Sequence, residues 1–161
     1  MLQPRRRVVP STLAVAVVVA LAPACAAARV AADGPAVVID RSPEPATVYV
    51  ACPSVAILPD GTFVASHSWF GPGTTNDTSE VFRSADRGQT WEHAATVPGQ
   101  WWSTLFVHRG DLYLLGVDRE YGRIVIRRSR DGGRTWTTPA DGRSGRLTEK
   151  PGYHGAPVPV A

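Results

Sequence analysis

Ser84-Ala85-Asp86-Arg87-Gly88-Gln89-Thr90-Trp91 recurs 45 positions downstream as Ser129-Arg130-Asp131-Gly132-Gly133-Arg134-Thr135-Trp136, with Ser, Asp, Gly, Thr and Trp in the same places. Repetition at a period in the forties is a mark of architectures assembled from like units. A second matched element lies upstream of each octapeptide. The stretch from Ser54 to Ala65 reads as strand, Asp60-Gly61 turn, strand, and the stretch from Ser103 to Leu114 reads the same way around Gly110. A third strand precedes each octapeptide, at Glu80-Val81-Phe82-Arg83 and Ile124-Val125-Ile126-Arg127, and a fourth is expected after each Trp. Four short antiparallel strands per unit predict an all-β chain of propeller blades rather than a sandwich. The first blade spans about 49–98 and the second about 99–150. Residues 151–161 then read as the start of a third, because Gly155 to Ala161 resembles Ala51 to Ala56. Apolar residues alternate or cluster in short runs throughout, so no helix is expected.

The octapeptide suits a tight hairpin. Its Ser and Asp side chains can bond back to turn amides, and its Gly accepts a positive φ. Trp91 and Trp136 are large apolar bodies for packing between neighbouring sheets. Asp86 and Asp131 therefore have a local structural role and are not read as catalytic carboxylates. The S-x-D-x-G-x-T-W pattern, occurring twice in matched surroundings, resembles the Asp-box repeat of the sialidase (neuraminidase) superfamily. That resemblance covers Tyr49 to Ala161 and implies a sialidase-like β-propeller, in that family usually six-bladed.

The start of the chain reads differently. Arg5-Arg6-Arg7, the apolar run Leu13 to Ala22 and the small residues around Ala24 to Ala28 and Ala31-Ala32 have the layout of a signal peptide over 1–32. A secreted, periplasmic or cell-surface location is the expectation. An uncleaved anchor, a twin-Arg signal and lipid attachment at Cys25 are the alternatives, the last despite Ala22-Pro23-Ala24 in place of a Leu-led lipobox. Residues 33–48 form a Pro- and Ala-rich lead-in with Val37-Val38-Ile39 as a candidate edge strand. Nothing beyond the signal is apolar enough to span a membrane. Four of the 17 basic residues (Arg5, Arg6, Arg7, Arg29) lie in the signal and all 14 acidic ones lie beyond it, so the remainder carries about −1. No basic patch argues for nucleic acid. With Cys25 removed, Cys52 has no intrachain partner. No pattern calls for a metal or a cofactor.

In a propeller, ligands bind where the inner strands and the loops on one face surround the axis. His67, the loop 71–79 with Asp77, Trp101-Trp102, Arg119-Glu120 and His154 are the candidates on that face. Trp101 is carried as the sugar-stacking residue, although strand alternation sends one of the two tryptophans into the packing. Asn76-Asp77-Thr78 also fits a glycosylation acceptor. The resemblance implies a glycan substrate, an Asp acting as general acid and base, a Tyr nucleophile assisted by a Glu, and three arginines on a substrate carboxylate. Asp77 is the nearest match to the acid/base Asp. Ala51, in Val50-Ala51-Cys52-Pro53, stands where the first arginine is expected, and the Tyr/Glu pair belongs to later blades. The expectation is thus a sialidase-like glycoside hydrolase relative that is inactive as this stretch alone; the alternative is a non-catalytic propeller binding a glycan or protein.

Overall fold

Residues 36–154 are described by a computed structural model. The expected signal segment with Cys25, and Gly155 to Ala161, lie outside the described residues. Strands β1 (Tyr49–Ile57), β2 (Phe63–Phe70), β3 (Thr78–Ser84) and β4 (Glu92–Pro98) form one antiparallel sheet in chain order. Strands β5 (Trp101–His108), β6 (Asp111–Val117) and β7 (Ile124–Ser129) form a second. Among the described residues there is no helix. The chain is all-β, and its two sheets stack as successive blades of a partial β-propeller.

The core lies between the sheets. Ala56, Leu58, Val64, Val81 and Val97 of the first meet Leu105, Leu112 and Leu114 of the second, with Trp136 packed against them. Val64, Val81, Leu112 and Leu114 are buried to within 1%. Each such aliphatic side chain contributes about 1.5–3 kcal/mol relative to exposure. Alternation accounts for the pattern: Ser79, Val81 and Arg83 of β3 point at the second sheet, and Glu80 and Phe82 point away.

The two octapeptides close equivalent hairpins. Ser84 Oγ donates to Asp86 Oδ1 at 2.8 Å and accepts the Gly88 N–H at 2.7 Å. Asp86 also accepts the Thr90 N–H at 2.8 Å and the Thr90 hydroxyl at 2.6 Å. The second hairpin repeats this set: Ser129 Oγ to Asp131 at 2.8 Å, Gly133 N–H to Ser129 at 2.7 Å, Thr135 N–H and hydroxyl to Asp131 at 2.9 and 2.6 Å. Trp91 and Trp136 donate their indole N–H groups to Gly88 and Gly133 at 3.1 and 3.0 Å. The second hairpin seats on the first sheet, where a Cβ on Gly133 would meet Val81 at 3.2 Å. Arg83 of β3 donates to the carbonyls of Asp131, at 3.3 Å, and Gly132.

Two expectations need correction. The second unit has no regular fourth strand after Trp136. Pairing begins with Thr137 N–H to the Arg128 carbonyl at 3.0 Å. Pro139 then offers no N–H, and Asp141 gathers the Arg143 and Ser144 amides into a turn. The chain rejoins β7 only at single points, where the Gly145 carbonyl accepts from Ile126 and the Leu147 N–H donates to Ile124, both at 2.8 Å. The lead-in, likewise, forms no strand at Val37-Val38-Ile39. It crosses the far face of the first sheet and turns at Glu44, whose carbonyl accepts from Thr47 and Val48.

Candidate functional site

β1 begins and β2 ends at one end of the first sheet, as β5 begins and β6 ends at the same end of the second, since Tyr49 pairs with Phe70 and Trp101 with Val117. The octapeptide hairpins lie at the opposite end. Both inner strands carry a bulge at the same place. Between Ala51 and Ser54, and between Trp101 and Thr104, two residues face one on the partner strand. Cys52 and Trp102, the first residue of each bulge, have φ of 51° and 50°. A left-handed residue with a side chain costs roughly 1–2 kcal/mol, and bulges of this kind re-aim side chains at sheet ends. Pro53 is tolerated because the bulge needs no N–H there.

The bulge sorts the adjacent tryptophans. Trp101 is fully buried, with its indole N–H donating to the Trp69 carbonyl at 2.7 Å. Trp102 turns outward and is half-buried; its backbone N–H donates to Ser68 Oγ at 2.9 Å. The candidate sugar-stacking residue is therefore Trp102 rather than Trp101. Around it stand Phe70 and His154, with ring centroids 5.7 and 5.5 Å away, and Tyr121 lies 4.8 Å from His154. Tyr121 is 61% exposed, so the wall is open to solvent.

One carboxylate, that of Glu120, stands beside this wall. Glu120 accepts from Asn76 Nδ2 at 2.9 Å on one oxygen and lies 3.6 Å from His154 Nε2 on the other. Its N–H donates to the Asn76 carbonyl at 2.9 Å, fastening the β2–β3 loop of one unit to the β6–β7 loop of the next. The Asn76 amide oxygen in turn accepts from the Gly71 N–H and the Thr74 hydroxyl. Both ends of that amide are thus engaged within the folded chain. Asp77, half-buried, accepts the hydroxyls of Thr75 and Thr78 on one oxygen, and its carbonyl accepts the Gln100 N–H at 3.0 Å. Arg119 is exposed and makes no ion pair with a described residue. Ala51 is half-buried and pairs with Ser68, leaving no cation at that strand start. Burial pushes the Cys52 thiol up to about 11, which keeps it protonated and unreactive.

The structure thus brings Glu120, His154, Asn76 and Trp102 together, with Tyr121, while His67 lies elsewhere. His67 is 6% exposed on the far face of the first sheet, bonded through Nε2 to Asp40 at 2.8 Å and stacked on Phe82. It fastens the lead-in. Sequence reasoning missed Gln100, fully buried at the junction of the units. Its amide donates to Ser103 Oγ at 2.8 Å and its oxygen accepts from Arg127 at 3.2 Å. Among the described residues no cluster of His, Cys, Asp and Glu has the geometry to hold a metal. No described helix is long and apolar enough to cross a membrane.

No family model and no curated protein matches this chain. Solved structures do. An α-L-arabinanase from Penicillium chrysogenum, complexed with arabinobiose, aligns at 24% identity and TM-score 0.45 over 54% of this chain and 30% of its own length. An α-L-arabinofuranosidase from Fusarium graminearum aligns at 22% identity and TM-score 0.45, with the same coverage of both chains. A Hadza microbial sialidase aligns at 18% identity and TM-score 0.42 over 56% of this chain and 25% of its own. This chain thus spans less than a third of the length of each.

Proposed function

We propose that the end of the sheets carrying Trp102 binds a glycan, and that the protein is an exported, sialidase-like relative of the propeller glycoside hydrolases. The observation that carries the binding reading is the solvent-open wall of Trp102, Tyr121 and His154 beside Glu120. A sugar ring offers an apolar face to aromatic rings and hydroxyls to carboxylates and amides, and this wall supplies both partners. Ala51 supports a neutral glycan over a sialoside, because no arginine stands at that position to receive a substrate carboxylate. Asp77 is the residue proposed for general acid and base work. The non-catalytic reading also has an observation in its favour: Glu120 and Asp77 are both already engaged by neighbouring side chains.

Tryptophan fluorescence with arabinobiose and sialyllactose as probes tests the binding. The expected result is saturable quenching by the neutral sugar that is lost in Trp102→Ala while the far-UV circular dichroism stays unchanged. Quenching that survives Trp102→Ala would overturn the assignment of this end. The chemistry has its own test. In a preparation that hydrolyses a fluorogenic glycoside, Asp77→Asn is expected to slow turnover roughly 10²–10⁴-fold. Unchanged turnover would remove Asp77 from the reaction and leave the binding reading standing.

A further inference from the structure

Glu120 differs from other acidic side chains of this chain in what faces it. Glu92 has Arg134 at 3.0 Å and Arg83 at 3.7 Å, and Asp111 has Arg128 and Arg130 at 3.7 and 3.8 Å. Arginine keeps its charge at any ordinary pH, so those carboxylates are permanently paired. Among the described residues Glu120 pairs with no lysine or arginine. Its Oε2 is held by Asn76 Nδ2 at 2.9 Å. Its Oε1 accepts no hydrogen bond from a described residue and faces the His154 ring at 3.6 Å, which carries a charge only when protonated. The Glu120 side chain keeps 35% of its surface exposed, so Oε1 is open to a ligand.

That oxygen reaches the middle of a row of rings. Phe70, Trp102, His154 and Tyr121 follow one another with centroids 5.7, 5.5 and 4.8 Å apart. No lysine or arginine of the described residues stacks on them. Aromatic faces are electron-rich, and an unpaired carboxylate oxygen beside them makes a setting that attracts an ammonium group. The backbone presents these groups in an unusual way. Asn76, which holds Glu120, and Trp102 and Tyr121, which carry two of the rings, have φ of 51°, 50° and 51°. Side chains in this left-handed conformation persist where the surrounding structure holds them, and they concentrate at ligand sites. The row stands at the loop end of both sheets, so its make-up does not depend on what covers the sheet faces.

We propose that this end selects an amino sugar, one whose nitrogen is free and protonated rather than acetylated. The apolar face of the sugar stacks on Trp102, and its ammonium donates to Glu120 Oε1 while lying against the neighbouring rings. The inference rests on the glycan reading of this end and narrows it. A neutral sugar keeps the stacking alone, and an acidic one meets Glu120 with like charge. A small ammonium ion gains the charge contact but leaves Trp102 without a sugar face to cover it.

Tryptophan fluorescence at neutral pH tests the selection, with the β-1,4-linked glucosamine disaccharide and its N,N′-diacetyl form as probes. The free amine is expected to bind roughly tenfold or more tightly than the acetylated sugar. Glu120→Gln keeps an oxygen for Asn76 but removes the charge, and it should bring the two sugars to the same affinity with an unchanged far-UV spectrum. Raising the salt concentration should shrink the preference in the parent, which decides the matter should the variant lose its strand signal. Equal binding of the two sugars by the parent would overturn the selection and leave the glycan reading standing, whereas no binding of either would remove both. A preference that survives Glu120→Gln, or one that salt leaves untouched, would also overturn it. Tetramethylammonium binding as tightly as the amino sugar would show that the sugar ring contributes nothing, and would overturn it too.

Discussion

Trp101→Ala is expected to cost about 3–5 kcal/mol of folding stability, the range for emptying a fully buried large aromatic site. That is a large share of the roughly 5–15 kcal/mol that holds an ordinary domain folded. Trp101 has no exposed surface, and its indole N–H is committed to the Trp69 carbonyl, which would be left without that donor. The neighbouring Trp102→Ala is expected to cost distinctly less, because that ring is only half-buried on the bulge. Urea unfolding of the two variants reads the contrast directly. Equal losses would mean that the bulge does not separate the two rings, and the ligand-binding assignment of this end would go with it.

The second large effect is an acid transition set by the hairpin aspartates. The Thr90 hydroxyl and amide, with the Ser84 hydroxyl, hold Asp86 down at about 2 against an ordinary value of 3.8. For Asp131 slight burial works upward, but the Thr135 hydroxyl and amide and the Ser129 hydroxyl outweigh it and the result is again about 2. Both carboxylates are more acidic folded than unfolded. Their contribution to stability is therefore complete above about pH 4 and is lost as pH falls through about 2. The urea midpoint should drop steeply over that window. In the double variant Asp86→Asn with Asp131→Asn the protein should be less stable at neutral pH, yet much flatter between pH 4 and 2. A double variant that keeps the parent's full slope would show that other carboxylates, not these hairpins, govern acid unfolding.

The hairpins were legible in the sequence because their physics is local. Every bond that the carboxylates of Asp86 and Asp131 accept comes from within four residues, so an eight-residue word contains the whole turn. The ligand end was only partly legible, for the opposite reason. Asn76 meets Glu120 across 44 residues and His67 meets Asp40 across 27, and no short pattern announces such pairs. Strand alternation offered Trp101 and Trp102 as equals; a single left-handed residue decided between them. One signal was available and unused. The 45-residue offset that aligns the hairpins also aligns Asn76 with Tyr121, and both adopt φ of 51° at the tips of equivalent loops. The missing fourth strand had a local cause in Pro139 and Asp141, which the stronger expectation of symmetry concealed.

The bulge at Cys52 divides β1 into a lower length in continuous register with β2 and a short upper tip, Tyr49 to Ala51, whose register is shifted; above the bulge of β5, by contrast, Trp101 is bonded to the first sheet. A change in the tip, such as a different side chain at Ala51, is therefore insulated from the register below it. The rim of such a molecule can be rewritten for new ligands while the tryptophan beside it goes on holding the foundations together, so its selectivity and its durability are free to evolve separately.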